Sequence, residues 1–335
     1  MEDQRIISVL KEQYDLKVNE IKFLPAGLDR NAASYQAITY DSRRYFIKLR
    51  RNPCSEPSIL LPKFLSNQGI DIAIPPLETK AGHLWSCLDL FKLIVYPFVE
   101  GLNGYEIKLS ERQWNDLGKA LKMLHTIELP QFLLDNIRKE TFSFPWGKAL
   151  RASLARAHGS HLGDSTSEKL ARFLRAKNKE ILNLIVRAET LVKMLQNRSA
   201  PMVLCHSDLH AGNILIDPDG LLHIVDWDDP IIAPKERDLM FIGCGYWGEG
   251  QTPQEEEELF YRGYGQTLID PIWIAFYRYA RIVEDVVLFS TQVFEGTECQ
   301  ADREQSLHYL MSNFFPDNTI ERAYALDRTY LWDEW

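Results

Sequence analysis

The sequence lacks long hydrophobic runs, closely paired cysteines and an excess of positive charge. Its longest apolar stretch, residues 93–99, contains Pro97 and is far too short to span a bilayer. Five cysteines are odd in number, scattered and free of C-x-x-C pairs, which is typical of reduced thiols rather than of a disulfide scaffold. The formal net charge of −9 argues against a nucleic-acid partner, because such a partner requires a basic surface.

An N-terminal signal segment is also missing, since Met-Glu-Asp-Gln-Arg is polar and opens with acids. Together with the reduced cysteines, this predicts a soluble, cytoplasmic protein that does not contact membranes. The 335 residues, 45% of them hydrophobic and 25% charged, are ordinary for a globular protein and sufficient for two lobes, each with its own core. The negative charge is compatible with a small cationic substrate, because acidic clefts concentrate cations.

One stretch, residues 203–228, carries the main functional signal. Short apolar runs predict strands at residues 203–205, 214–216 and 221–225. Between the second and third runs lies Asp217-Pro218-Asp219-Gly220, a turn sequence that predicts a β-hairpin. Asp208 and Asn213 precede this hairpin and Asp226 follows it. We therefore expect these three polar side chains to converge on one site at the open end of the hairpin.

Two carboxylates and an amide in this arrangement suit phosphoryl transfer. The reaction needs a carboxylate that accepts the proton of an attacking hydroxyl, and oxygen ligands for Mg²⁺. Asp208 is predicted to be the base, and Asn213 and Asp226 are predicted to be the metal ligands. A zinc site formed by His206 and His210 is disfavoured, because the sequence does not favour a helix here and no Glu lies between the two histidines.

The spacing of these residues resembles the catalytic loop of protein kinases, in which His-Arg-Asp is followed five residues later by Asn and then by Asp-Phe-Gly. His206-Ser207-Asp208 and Asp226-Trp227-Asp228 take the places of the two triplets. Both triplets are closer to the aminoglycoside phosphotransferase family, which residues 45–49, 233–243 and 281–285 also resemble. The resemblance implies an α+β, protein-kinase-like two-lobed fold, with a small antiparallel β N-lobe and a mainly helical C-lobe.

The same resemblance implies a domain organisation. Residues 1–97 are expected to form the N-terminal nucleotide-binding lobe, residues 98–101 the hinge, and residues 102–335 the helical catalytic and substrate lobe. At the hinge, adenine is expected to pair with backbone groups near Phe98 and Val99, while Tyr96 lines the pocket. Val99 is the expected N–H donor, because Pro97 in the same segment has no N–H group.

Lys48 lies on the third strand-like segment and is expected to reach the α- and β-phosphates of ATP. Glu56 is the nearest candidate for the ion pair that holds this lysine. Backbone N–H groups of residues 29–34 and the hydroxyl of Ser34 are expected to contact phosphate. Only Gly27 stands in this loop, so the glycine-rich pattern of kinases is incomplete.

The expected reaction is ATP- and Mg²⁺-dependent phosphorylation of a hydroxyl on an aminocyclitol or aminoglycoside antibiotic, with spectinomycin as the first candidate. The amines of such molecules are cationic, and charge-assisted hydrogen bonds from them to carboxylates are strong. Candidate substrate carboxylates are Asp228, Glu236, Glu284 and Asp285.

Three alternatives remain open. They are a kinase of another small hydroxylated metabolite of the choline or homoserine type, a protein Ser/Thr kinase, and a non-catalytic nucleotide-binding relative. The presence of the lysine, the base and both metal ligands argues against the last of these.

Two helices are predicted in the C-terminal part. Ser110, with Gln113 three residues later, has the pattern of a capping box at a helix start. Apolar residues at helical spacing between residues 167 and about 197 predict one long amphipathic helix.

Overall fold

The computed structural model describes residues 2–24, 32–159, 163–196, 198–245, 247, 251–296, 299–316 and 318–330. The chain divides into two compact units. The first unit comprises Met1–Arg138, His206–Ile231 and Arg262–Tyr264, and the second comprises Lys139–Cys205, Ile232–Tyr261 and Gly265–Trp335. The expected hinge at residues 98–101 lies inside the first unit, and the division into a nucleotide lobe and a substrate lobe remains a prediction.

Strands predominate before residue 104, and helices predominate after residue 110. Up to residue 139 the elements are α1 (Glu2–Tyr14), β1 (Val18–Leu24), β2 (Ala32–Thr39), β3 (Arg44–Arg51), α2 (Pro57–Asn67), β4 (Ser86–Leu88), β5 (Phe91–Pro97), β6 (Leu102–Asn103), α3 (Glu111–Thr126), α4 (Gln131–Asn136) and β7 (Arg138–Lys139). Then follow α5 (Trp146–Ala157), α6 (Ser165–Ala176), α7 (Asn178–Leu195), β8 (Met202–Cys205), a short 3₁₀ helix (Ala211–Asn213), β9 (Ile214–Ile216), β10 (Leu222–Ile224), β11 (Ile231–Pro234), α8 (Glu236–Leu239), α9 (Pro253–Tyr264), α10 (Pro271–Glu295), α11 (Gln300–Ser312) and α12 (Thr319–Tyr330).

A five-stranded antiparallel sheet in the order β1-β2-β3-β5-β4 forms the centre of the first unit. Because side chains alternate along a strand, each strand presents one set of residues to each face. Ile47 and Leu49 of β3 are buried in a hydrophobic cluster with Ile6 and Leu10 of α1. Truncating such a buried leucine to alanine costs about 2–5 kcal/mol. The opposite face of β3 carries Lys48.

The catalytic-loop hairpin predicted from the sequence is confirmed. β9 and β10 pair antiparallel, and β6 completes a three-stranded sheet in the order β10-β9-β6. In the turn, Asp217 Oδ1 accepts the N–H groups of Asp219 at 3.0 Å and Leu221 at 2.8 Å. Gly220 has φ +80°, a conformation that glycine adopts without steric cost. The turn therefore forms from its own residues, as its sequence indicates.

The capping box at α3 is also confirmed. Ser110 Oγ accepts the Gln113 N–H, and Gln113 Oε1 accepts the Ser110 N–H at 2.8 Å. The helix buries the side chains of Trp114, Leu117 and Leu121. The local signal and the apolar face thus agree on where this helix begins and which side packs.

In the second unit, the 25-residue helix α10 packs against α5, α7, α11 and α12. Strands β7, β11 and β8 form a small sheet in that order. None of the helices in the described ranges is both long enough and apolar enough to cross a membrane.

The prediction of one helix over residues 167–197 is wrong. The segment forms two helices, α6 and α7, with Lys177 between them at φ −94°, ψ 7°. From Arg175 to Glu180 the sequence is almost entirely polar, so no apolar face continues across the break. Apolar periodicity on either side of this polar run produced the appearance of a single helix.

Candidate active site

Lys48 lies in a row of cross-strand neighbours on the polar face of the five-stranded sheet. Ser34 of β2 is opposite Lys48 on one side, and Ile94 of β5 is opposite it on the other. Arg50, two residues further along β3, shares this face. The Lys48 side chain is only 15% exposed. An ammonium group that is largely removed from water requires an acidic partner.

That partner comes from the chain just after the hairpin. Lys48 Nζ donates to Asp228 Oδ2 at 2.6 Å and to Asp226 Oδ1 at 3.1 Å. Arg50 Nη1 adds a second cationic contact, at 3.3 Å from Asp228 Oδ1. These contacts join β3 to residues almost 180 positions later in the chain and bring Asp226 to the lysine.

Burial and charge act in opposite directions within this cluster. Burial alone would lower the pKa of Lys48, but the charges of Asp226 and Asp228 outweigh burial and raise its pKa. Burial works to raise the pKa of Asp226, but the charge of Lys48 overcomes it and lowers this pKa. Burial raises the pKa of Asp228, and the charge of Asp226 adds to that effect. Asp226 is therefore held as a carboxylate, the form that binds a metal ion.

Two non-glycine residues beside the site have left-handed backbone conformations, Ser207 at φ 76° and Asp226 at φ 64°. Such residues cost on the order of 1–3 kcal/mol each and persist where surrounding contacts hold them. One such contact is the hydrogen bond from Ser207 Oγ to Asp229 O at 2.8 Å. The strain therefore lies next to the predicted base and at a predicted metal ligand.

His206 is 1% exposed and contacts the backbone on both sides of the hairpin. Its Nδ1 accepts the Asp208 N–H at 3.3 Å, so Nε2 carries the hydrogen and donates to Val225 O at 3.0 Å. The ring also lies edge-on to Trp227, with centroids 4.6 Å apart. Because both nitrogens bond to the backbone, His206 has a structural role and is not a zinc ligand.

Asn213 joins the base to the second carboxylate. Its Nδ2 donates to Asp208 O at 2.8 Å and lies 3.4 Å from Asp208 Oδ2. The Val225 N–H donates to Asn213 O at 2.9 Å, which places Asn213 beside the residue preceding Asp226. The negative charge of Asp208 works against the lowering of the Asp226 pKa by Lys48, but does not reverse it. The amide oxygen of Asn213 and the Asp226 carboxylate are hard oxygen donors, which fit Mg²⁺.

The ion pair expected between Lys48 and Glu56 is not formed. Glu56 Oε1 instead accepts Lys92 Nζ at 2.8 Å, and this ammonium also lies 4.3 Å from the centroid of the Trp85 ring. In the β3–β5 register Lys92 is opposite Arg50, two residue pairs away from the Lys48–Ile94 pair. Glu56 is thus linked to the polar face of the sheet through a different lysine.

The expected adenine-binding residues lie at the end of β5. The rings of Tyr96 and Phe46 are 6.3 Å apart, and burial raises the pKa of the Tyr96 phenol. The Phe98 N–H donates to Arg44 O at 3.2 Å, so it is committed to the sheet and Val99 becomes the candidate donor to adenine. Ser34, a candidate phosphate contact, is buried on the polar face of the sheet, opposite Lys48. Gly27 and residues 29–31 of the expected phosphate loop lie outside the described residues.

Three of the expected substrate carboxylates lie in the second unit. Glu236 on α8 is buried, lies 3.4 Å from Lys235 Nζ and accepts the Asp270 N–H at 3.3 Å. Asp285 on α10 lies 2.9 Å from Arg281 Nε, and Glu284 next to it is half-buried. The fourth, Asp228, belongs to the first unit, where it pairs with Lys48. Its contacts with Lys48 and Arg50 had no local signal in the sequence.

Comparison with known proteins finds similar sequences and structures. Residues 21–272 match the sequence model of the phosphotransferase enzyme family. A solved structure of spectinomycin phosphotransferase, APH(9)-Ia, in complex with ADP and spectinomycin is 34% identical and has a TM-score of 0.90, over 97% of this chain and 98% of the other. Protein StrN of Streptomyces griseus is 26% identical over 260 residues, which cover 71% of this chain and 76% of StrN. The resemblance to aminoglycoside phosphotransferases is confirmed.

A more distant structure, amicoumacin kinase hAmiN in complex with AMP-PNP and Ca²⁺, is 16% identical with a TM-score of 0.62 over 96% of this chain and 95% of the other. At this identity the likeness shows the fold alone. The predicted α+β, protein-kinase-like fold is confirmed. The ADP bound in the spectinomycin phosphotransferase structure is of the kind that the sequence predicted, since it is the product of phosphoryl transfer from ATP.

Proposed function

Because this chain belongs to the phosphotransferase enzyme family, we propose that it transfers the γ-phosphoryl group of ATP to a hydroxyl of an aminocyclitol antibiotic, with spectinomycin as the first candidate. The observation that carries the proposal is the assembly of Lys48, Asp208, Asn213 and Asp226 within one unit. The 34% identity with spectinomycin phosphotransferase over almost the whole chain supports this choice of acceptor.

Asp208 acts as the base in a direct, in-line transfer. The acceptor hydroxyl oxygen attacks the γ-phosphorus, and its proton passes to the Asp208 carboxylate. The bond between the γ-phosphorus and the β–γ bridging oxygen breaks, so that ADP leaves and the acceptor becomes a phosphate monoester. Positioned acid–base groups of this kind contribute about 10²- to 10⁴-fold in rate.

Asn213 and Asp226 would hold Mg²⁺ through their side-chain oxygens. When bound, this ion supplies charge neutralisation for the ATP phosphates. Lys48 moves from its carboxylate partners toward the phosphates, where a compact ammonium group is effective as a point charge. Ser34 lies opposite Lys48 and provides a hydroxyl to the same phosphates.

The adenine end of the nucleotide is assigned to Tyr96, Phe98 and Val99, with the Val99 N–H as donor. Glu56 acts indirectly in this assignment, because its contact with Lys92 holds a third cation, besides Lys48 and Arg50, on the same face of the sheet.

Acceptor binding is assigned to carboxylates that attract cationic amines. Glu236, Glu284 and Asp285 are candidates from the second unit, where Asp285 is also paired with Arg281. Asp228 is retained as a candidate, although its observed partners are Lys48 and Arg50. We also place the enzyme in the cytoplasm, which agrees with its free cysteines.

A panel of acceptors tests the proposal. Purified protein with ATP and Mg²⁺ is incubated with spectinomycin, other aminoglycosides, choline, homoserine and a generic protein substrate. Product mass and ADP release are measured for wild type and for Asp208→Asn. We expect wild type to add one phosphoryl group to spectinomycin and Asp208→Asn to add almost none. Transfer to choline, homoserine or protein alone would overturn the acceptor assignment. Nucleotide binding without any transfer would identify a non-catalytic relative.

A further inference from the structure

His210 lies two residues after the proposed base and forms a ring pair with Tyr105. The two rings are stacked, with centroids 5.9 Å apart and an interplanar angle of 20°. Tyr105 is exposed to solvent, whereas the His210 side chain is only 23% exposed. The reaction described above gives neither residue a role.

The orientation of the His210 ring is set by its neighbour in the 3₁₀ helix. Nδ1 accepts the Gly212 N–H at 3.0 Å, so the hydrogen of the neutral ring is on Nε2. This Nε2 lies 3.7 Å from Asp208 Oδ2. The distance is longer than a direct hydrogen bond. Catalytic hydrogen bonds are often long before the substrate binds and shorten in the reactive complex.

The chain around the two rings leaves little room for another arrangement. The Gly104 N–H group lies 2.9 Å from Ala211 O and 3.0 Å from Ile214 O, which ties the Tyr105 turn to the catalytic loop. A Cβ on Gly212 would lie 2.9–3.0 Å from atoms of both rings. Glycine at position 212 therefore permits the ring pair and the capping hydrogen bond at the same time.

From this geometry we propose that His210 is a positioning residue for Asp208, a role that rests on the proposed function. Asn213 Nδ2 lies 3.4 Å from the same Oδ2 that Nε2 of His210 faces. With both donors directed at one oxygen, shortening of the His210 contact in the reactive complex restricts rotation of the carboxylate about its Cβ–Cγ bond. The carboxylate is then held in one orientation toward the acceptor hydroxyl, and small errors in such orientation are costly in rate. His210 takes no proton in this role.

Two substitutions separate the capping function of His210 from its contact with Asp208. In His210→Asn, the amide oxygen replaces Nδ1 as the acceptor for Gly212, but the side chain is too short to present a donor to Asp208. In His210→Gln, the amide nitrogen reaches toward Asp208, but the cap is lost. Tyr105→Phe keeps the ring pair and serves as the matched control.

We expect His210→Asn to lower kcat about tenfold, with Tm and the KM for ATP unchanged. His210→Gln should lower Tm while its kcat stays within about threefold of wild type, and Tyr105→Phe should match wild type. A purely structural role would make kcat follow Tm, so that pattern, or an unchanged kcat in His210→Asn, would overturn the proposal.

Crystal structures of wild type and His210→Asn provide a readout that is independent of turnover. We expect the Asp208 carboxylate plane to rotate in the variant, and the same orientation in both structures would overturn the positioning role. If wild type phosphorylates no acceptor in the panel, the proposed function fails, and the two crystal structures still decide the inference about His210.

Discussion

Asp228→Asn distinguishes two roles of a carboxylate that the sequence assigned to substrate and the structure pairs with Lys48. The substitution removes one charge from contacts of 2.6 Å to Lys48 and 3.3 Å to Arg50 and leaves the shape unchanged. The three side chains are 27%, 15% and 13% exposed, so the cluster lies between an exposed pair, worth about 0–1 kcal/mol, and a buried one, whose disruption costs about 3–5 kcal/mol.

The expected loss of unfolding free energy is at the low end of that interval. Lys48 keeps Asp226 at 3.1 Å, and Arg50 keeps Ser58 Oγ at 2.7 Å, so neither cation is left without a partner. The raised pKa of Asp228 shows that burial of its charge already has a cost, which a neutral amide avoids. We therefore expect about 1 kcal/mol, or a decrease in Tm of about 2–4 °C.

Nucleotide affinity should change in the opposite direction. Under the proposed function, Lys48 exchanges a carboxylate for a phosphate when ATP binds, and the negative charge of Asp228 opposes that exchange. Without Mg²⁺, we expect Asp228→Asn to bind ADP about three- to tenfold more tightly, equivalent to about 0.7–1.4 kcal/mol. The assays are titration calorimetry with ADP, thermal unfolding and steady-state KM for the acceptor. Asp229→Asn is the matched control, because Asp229 is 69% exposed and its carboxylate lies 2.7 Å from Arg138.

The reasoning would be refuted if Asp228→Asn raised the KM for the acceptor while Tm and ADP affinity stayed at wild-type values. That result would assign the carboxylate to the substrate and leave Lys48 without a functional link to it.

Four further predictions follow from individual contacts. Asp208→Asn should lower kcat by about 10²- to 10⁴-fold with ADP affinity unchanged in calorimetry, and comparable turnover would reject it as the base. Asp226→Asn should weaken Mg·ATP binding as well as kcat, whereas an unchanged magnesium dependence of the rate would remove it from the metal site. Gly263→Ala should destabilise the protein by about 3 kcal/mol in denaturant unfolding, because the added Cβ would lie 1.9 Å from Asn115 O. Alanine has a higher helix propensity than glycine, so an unchanged unfolding midpoint would contradict this close approach. Burial raises the pKa of Glu256 to about 7 from 4.5, so the folded state holds its proton more tightly; this contribution to stability is complete below about pH 4.5 and is lost as pH rises through about 7. Glu256→Gln should therefore show a smaller loss of Tm than wild type over that interval, and parallel pH profiles would refute the assignment.

Local sequence patterns were sufficient where the structure depends on neighbouring residues. The turn at residues 217–220 and the capping box at Ser110 need only side chains within a few positions, and both formed as predicted. The order and spacing of Asp208, Asn213 and Asp226 likewise indicated one site, because a short hairpin joins them. Periodicity was less reliable over residues 167–197, where a short polar run separates two helices whose apolar residues resemble the pattern of a single helix.

The sequence by itself determined the residue types of the site, since these depend on short-range turns and motif spacing, and its resemblance to the aminoglycoside phosphotransferase family implied the kinase-like fold. Only the tertiary structure decided which charges pair. Glu56 pairs with Lys92, which the β3–β5 register places opposite Arg50. Lys48 pairs with Asp226 and Asp228, which lie about 180 residues later in the chain. The stacking of Tyr105 on His210 arose in the same way. Ion pairs and ring contacts of this kind depend on distances across the folded chain, and a linear sequence does not contain those distances.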